Sequence, residues 1–204
     1  MLKNGLRGAL ALLACCLVVA CGRDKRLADT AIKTAEKAVA TGGPDVEKYA
    51  AEQWKGVTDS LAAAKENFAK GEYKAAIASV ENIGQKVLDA QAAATAQKTR
   101  LENAWTDLAA GVPKMVDAIK SRVDILSASK KLPKGLDRAT LESAQAGLAA
   151  ATQSWADASA AFKAGNLQDA LAKANMVKEK AAQIMQSLGM SVPEAAGGAA
   201  PVTK

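Results

Sequence analysis

The sequence predicts an all-α protein made of two tandem antiparallel helical-hairpin units, each of three helices, forming an elongated bundle. Three observations carry that expectation. The chain is dominated by Ala, Lys, Glu, Gln and Leu, which are strong helix formers, and is only 3% aromatic. Its apolar residues recur at alternating spacings of three and four, which places them on one face of a helix, and no segment alternates with the period of two that a half-buried strand requires. Finally, the pattern of one helix pair returns later in the chain.

The first helix of the first unit is expected from Ala28, Ile32, Ala35 and Val39, which share a face, and Gly42-Gly43-Pro44 ends it. A second helix is expected from about Asp45 to Lys70, on the stripe Trp54, Val57, Leu61, Ala64 and Phe68. Gly71 suits the left-handed position just past its end. Tyr73, Ile77, Val80, Ile83, Val87 and Ala90 define a third helix. Shifting the second-helix stripe by 94 positions, the separation of Phe68 and Phe162, gives Leu148, Ala151, Trp155, Ala158 and Phe162. The same shift carries Gly71 to Gly165 and the third-helix stripe to Leu167, Leu171, Ala174, Ala181 and Ile184, an internal repeat. The first helix finds its copy at a shift of 87, in Val112, Val116, Ile119, Val123 and Leu126. The difference is absorbed by the loop Lys130-Lys-Leu-Pro-Lys-Gly135. Between the units, Gly111-Val112-Pro113 is expected to kink or break the connecting helix. The expected organisation is residues 1–20 as a signal, 21–27 as a short tether, 28–100 and 101–188 as the two units, and 189–204 as a disordered tail.

The N-terminus has its own logic. Lys3 and Arg7 precede an uncharged run from Gly8 to Ala20, and Arg23, Asp24, Lys25 and Arg26 follow at once. A basic start and a short apolar run make a secretory signal, because a span of the bilayer takes about 20 apolar residues. The junction Val18-Val19-Ala20-Cys21 resembles the lipobox of bacterial lipoproteins. That resemblance implies cleavage before Cys21, a covalent lipid on its thiol and a membrane tether. Stable anchoring takes two or more acyl chains. Leu12-Leu13-Ala14-Cys15 is a rival junction, but cleavage there strands Cys16-Leu-Val-Val-Ala20 on the mature chain. Gly22 follows the anchor instead of the Asp that resembles an inner-membrane retention signal, so the expected address is the periplasmic face of an outer membrane.

The turn Phe68-Ala-Lys-Gly71-Glu72-Tyr73-Lys-Ala-Ala76-Ile77 resembles the inter-helix turn of a tetratricopeptide repeat, and Phe162-Lys-Ala-Gly165-Asn-Leu-Gln-Asp-Ala170-Leu171 is a fainter version. The family's period of about 34 residues is missing, so the resemblance implies a hairpin geometry and not a solenoid. Lipobox, Ala-rich helices and hairpin turns together are similar to Ala-rich helical lipoproteins of Gram-negative bacteria, which implies an address and a fold but no activity.

Composition bounds the chemistry. The chain holds no His and three Cys, of which Cys15 and Cys16 leave with the signal. A Ser-His-Asp triad, a Cys-His pair and the usual zinc ligand sets are therefore excluded. Loss of Lys3 and Arg7 lowers the net charge from +6 to about +4, too modest for a nucleic-acid partner. Asp45 and Glu47 sit at a helix start, where acids favour the dipole. The expectation is a protein with no catalytic residues, no metal and no cofactor beyond the lipid on Cys21.

Candidate binding features are the basic loop of Lys130, Lys131, Lys134 and Arg138, suited to an anionic polymer or lipid phosphate, and Trp105, suited to stacking on a sugar ring. Trp54 and Trp155 lie on the core stripes. Two functions remain open: a scaffold for a protein partner in the envelope, or a binder of peptidoglycan or another anionic envelope polymer. Apolar surface beyond the bundle core favours the first, and a basic cleft lined by aromatic rings favours the second.

Overall fold

The computed structural model describes the backbone of residues 5–193 and the side chains of residues 22–193. Every regular element among them is a helix: α1 (Gly5–Ala40), α2 (Pro44–Tyr49), α3 (Ala51–Ala69), α4 (Tyr73–Val80), α5 (Ile83–Ala128), α6 (Arg138–Lys163) and α7 (Leu167–Ser187). They pack as helical bundles in two compact units, one ending at Gln97 and the other beginning at Lys98.

In the first unit α1 packs on α3 and α4, and α3 on α4. Ala28, Ile32 and Ala35 of α1 meet Val57 and Ala64 of α3, Ala76 and Val80 of α4, and Ile83 and Val87 of α5. The expected second helix is split: α2 ends at Tyr49, and Ala50, at φ −134° and ψ 43°, separates it from α3. The offset lets Val46 and Ala50 pack on Ala90 and Ala94 of α5. The expected third helix is also split, with Glu81 and Asn82 forming a turn between α4 and α5. Nonetheless the buried stripe Ala76, Val80, Ile83, Val87, Ala90 keeps its spacing across that turn.

Gly42 is required by a close approach. A Cβ built there would lie 2.2 Å from the Trp54 ring, so the end of α1 and the indole fit together only without a side chain. Gln91 Nε2 then donates to the Thr41 carbonyl at 2.8 Å, satisfying one of the carbonyls that a helix end leaves open.

In the second unit, Met115, Ile119, Val123 and Leu126 of α5 pack with Leu141 and Ala144 of α6 and with Ala181, Ile184 and Met185 of α7. Two further layers follow, Val112 with Ala151 and Val177, and Trp105 with Ala158, Ala161, Ala170, Leu171 and Ala174. Gly147 lets Ile184 of α7 come close: a Cβ on this glycine would meet the Ile184 Cδ1 at 2.9 Å.

The structure refines the sequence expectations at further points. α5 does not end at Gly111-Val112-Pro113; Pro113 lies inside it. An interior proline costs about 3 kcal/mol in a helix, but Val112 is 1% exposed and Met115 is buried, so tertiary packing holds the segment helical. The stretch 22–27, expected as a short tether, is helical and continuous with the rest of α1. Apart from Gly22 that stretch has no helix breaker, and its charged side chains Arg23, Lys25 and Arg26 are exposed. The tail, expected to leave the fold at Gly189, stays on it further: Met190 and Val192 pack against the Met115–Leu188 cluster, and the Met190 amide donates to the Met185 carbonyl at 2.9 Å. Residues 194–204 lie outside the described residues.

Candidate functional site

The basic loop is built by the second unit. The Ser129 amide donates to the Leu126 carbonyl at 3.2 Å as α5 ends, and the Leu136 amide donates to the Pro133 carbonyl at 3.1 Å in a turn. Gly135 sits at φ +91°, a conformation that L side chains rarely adopt. Asp137 caps α6 by accepting from the Thr140 amide at 2.8 Å. That hydrogen bond holds the Asp137 carboxyl below its usual range, because it favours the charged form. Leu132 and Leu136 turn inward onto the core cluster.

With its leucines committed inward, the loop presents Lys130, Lys131, Lys134 and the first helical residue Arg138 to solvent, all exposed. Two of the nearby acids are engaged elsewhere, and a third, Glu142, is exposed one turn along α6 from Arg138. Asp124 faces Lys120 at 3.6 Å, and Asp137 is the helix cap. The first turn of α6 holds no acid. Ile125, in the last turn of α5, is 62% exposed.

Trp105 does not join this loop. Its ring is buried and stacks on Trp155, with centroids 5.4 Å apart and planes 3° from parallel, and on Phe162 at 4.5 Å and 8°. Trp155 and Phe162 are two turns of α6 apart, about 10.5 Å, so the Trp105 ring lies between them. It fills the core left open by Ala158, Ala170 and Ala174, and no face of it is offered to a sugar. The cleft lined by basic and aromatic groups is therefore not assembled. Trp54 is likewise engaged, against Gly42. The Cys21 side chain lies outside the described residues.

Sequence reasoning missed a shallow groove of about 360 Å³ along α6 and α7. Ala151 and Val177 form its floor, with Ala150, Ser154, Asp157, Lys173, Met176 and Lys180 around them. Met176 is 60% exposed. Its signal was in the sequence: Ala174 and Val177 belong to the buried stripe of α7, which leaves Met176 as a large apolar residue off that stripe. Leu27, Leu88 and Ile125, also exposed, stand beside stripe residues in the same way. Arg122 was missed too. Its Nη2 reaches the Leu188 carbonyl at 3.4 Å, near the end of α7, while its Nε is buried with no hydrogen-bond partner among the described residues.

Among the described residues no group of three or more acidic or Cys side chains is placed to hold a metal ion, and no helix is long and apolar enough to cross a membrane. Compared with known proteins, the chain matches no family model, no curated protein and no solved structure.

Proposed function

We propose that the chain is a lipid-anchored helical lipoprotein of the bacterial envelope, tethered through Cys21 to the periplasmic face of the outer membrane, and that it works as a non-enzymatic scaffold for a protein partner. The address rests on the basic start, the short apolar run and Val18-Val19-Ala20-Cys21, with charged residues directly behind them.

One observation carries the scaffold role: Met176 stands exposed over the α6–α7 groove, whose floor is Ala151 and Val177. Small residues on the floor let another backbone approach closely, and a flexible thioether adapts to the surface it meets. The rim carries both signs of charge. Asp157 accepts from Gln153, and Lys173 pairs with Asp169, so these groups are held at the rim when a partner helix arrives. Polymer binding is the weaker reading, because Trp105 is committed to the core.

A photocrosslinking residue at position 176 in the cell tests this, with Cys21→Ala as the localisation control. The expected result is one defined envelope protein, captured with the wild-type anchor and lost when the groove is filled from its exposed wall by Ala150→Leu. Recovery of peptidoglycan or lipopolysaccharide alone would overturn the scaffold reading.

A further inference from the structure

The basic loop is a surface for which the scaffold reading has no use. Four cations, Lys130, Lys131, Lys134 and Arg138, are exposed within nine positions of chain, and among the described residues none has an ion-pair partner. Elsewhere Lys33, Lys55, Lys65, Lys70, Lys120 and Lys173 face a carboxylate, whereas among the described residues Lys37, Lys74 and Lys163 do not, so the loop is set apart by the closeness of its four cations in the chain. The loop is also held in place rather than free to collapse, with Leu132 and Leu136 packed on the core and Asp137 fixed to Thr140. Arg138 is the first residue of α6, directly after the Asp137 cap, and its side chain is exposed. Apolar groups flank the charges: Pro133 is exposed within the loop, and Ile125 is exposed one turn before its start.

Cations alone suit any polyanion. Cations interleaved with exposed apolar side chains suit an interface that offers phosphates above and hydrocarbon below. We propose that the Lys130–Arg138 loop docks the second unit on an anionic lipid surface. The ammonium and guanidinium groups sit among the headgroup phosphates, and Ile125 and Pro133 rest at the acyl boundary. This contact is separate from the lipid proposed on Cys21 and acts in a chain that lacks it. With the anchor present, the two attachments reinforce each other by effective concentration.

The test uses residues 22–204, since every member of the five core clusters, with the side chains packed on them, lies from Ala28 to Val192. Sedimentation is compared on vesicles of phosphatidylcholine alone and of phosphatidylcholine with phosphatidylglycerol. Binding is expected on the anionic vesicles only, and weakening as salt rises. A lysine near such a surface contributes about fivefold, the equivalent of about 1 kcal/mol, so Lys130→Gln/Lys131→Gln/Lys134→Gln should lose roughly a hundredfold. Ile125→Ser should weaken binding with unchanged salt dependence. The control Lys37→Gln/Lys74→Gln/Lys163→Gln changes the net charge equally and should retain most of the binding. Circular dichroism of each variant verifies the fold. An equal loss in both triple variants makes the attraction a property of net charge and overturns the proposal. So does binding to soluble polyphosphate without binding to vesicles.

Discussion

The two units build the same turn and then continue it differently. In the first, the Gly71 amide donates to Phe68 at 3.0 Å and the Glu72 amide to Asn67 at 2.9 Å; in the second, the Gly165 amide donates to Phe162 and the Asn166 amide to Ala161, both at 2.9 Å. The glycines sit at φ +80° and +77°. This is the paired bonding of a helix closed by a left-handed residue. Beyond it the first unit makes an eight-residue helix that breaks at Glu81-Asn82, whereas the second runs 21 residues without a break. The residues differ accordingly: Asn82 and Gly84 are poor helix formers, and their counterparts Met176 and Lys178 are good ones. Even so, Ala76, Val80, Ile83, Val87 and Ala90 are buried, and so are their counterparts Ala170, Ala174, Val177, Ala181 and Ile184. A core stripe therefore tolerates a turn in the middle of its helix, provided the turn preserves its phase.

Volume is distributed differently too. Val80 and Val87 of the first unit correspond to Ala174 and Ala181 of the second, and Leu61 corresponds to Trp155. The first unit adds an edge-to-face pair, Phe68 and Tyr73, with centroids 5.4 Å apart. In the second, Leu167 stands where Tyr73 would, and the Trp105 stack fills the space. Trp105→Ala should be the most damaging single change, by about 3–5 kcal/mol, since it empties that stack. Chemical denaturation should then show the second unit unfolding ahead of the first. Unchanged stability would mean that the aromatic stack is not what replaces the missing valines.

Matched positions give a sharper test. Val57 and Ala151 are both fully packed, at 0% and 2% exposure. Val57→Ala removes buried methyl groups at about 0.8 kcal/mol each, and Ala151→Val should cost about 1–3 kcal/mol through overpacking. If both lower the midpoint of unfolding, each unit is fitted to its own residue. A stabilising Ala151→Val would show that the second unit is simply under-filled there. At the two turns, Gly71→Ala and Gly165→Ala should each cost about 1–2 kcal/mol, because the left-handed backbone crowds a Cβ. Nothing else stands within 4 Å of either site, so similar losses are expected. A large inequality would break the equivalence of the turns.

Smaller effects address the break and the caps. Asn82→Met, copying Met176, should extend helical protection across residues 80–83 in hydrogen exchange and stabilise by at most about 0.7 kcal/mol. Unaltered exchange would make the break a tertiary constraint rather than a local preference. The smallest effect is pH dependence. Asp137 caps α6, whereas α2 begins from Gly43 with no side-chain cap. Because the Asp137 carboxyl is held below its usual value, its contribution is present above that value and is lost as pH falls through the lowered one. Glu66, held down by its hydrogen bond to Lys70, loses its contribution in the same direction. Acid titration of Asp137→Asn should therefore be flatter than that of the wild type at the acidic end.

Helical class, both glycine turns and most of the buried stripe were legible in the sequence, because they follow from local rules: helix-forming side chains, apolar spacing and left-handed glycine. Trp54 and Trp155 were read correctly as facing the core. The place of Trp105 in the core was not legible, since nothing near it in the chain reveals that Trp155 and Phe162 will close on its ring. The breaks at Ala50 and Glu81-Asn82 were missed because the apolar spacing runs through them. Pro113 misled in the opposite direction, as packing around Val112 outweighs a local penalty.

By itself, then, the sequence determined what each residue prefers: a helix, a buried face, a glycine turn, and at the N-terminus a pattern of charge and hydropathy that resembles a lipoprotein signal. Only the tertiary structure decided which apolar residues were left over. Met176 and Ile125 are as hydrophobic as their buried neighbours, and their exposure depends on which helix face meets another helix. Helix propensity is summed along the chain, but burial is a competition among surfaces brought together from distant positions. That competition left a groove along α6 and α7 and a loop of exposed cations, neither of which any single helix could have foretold.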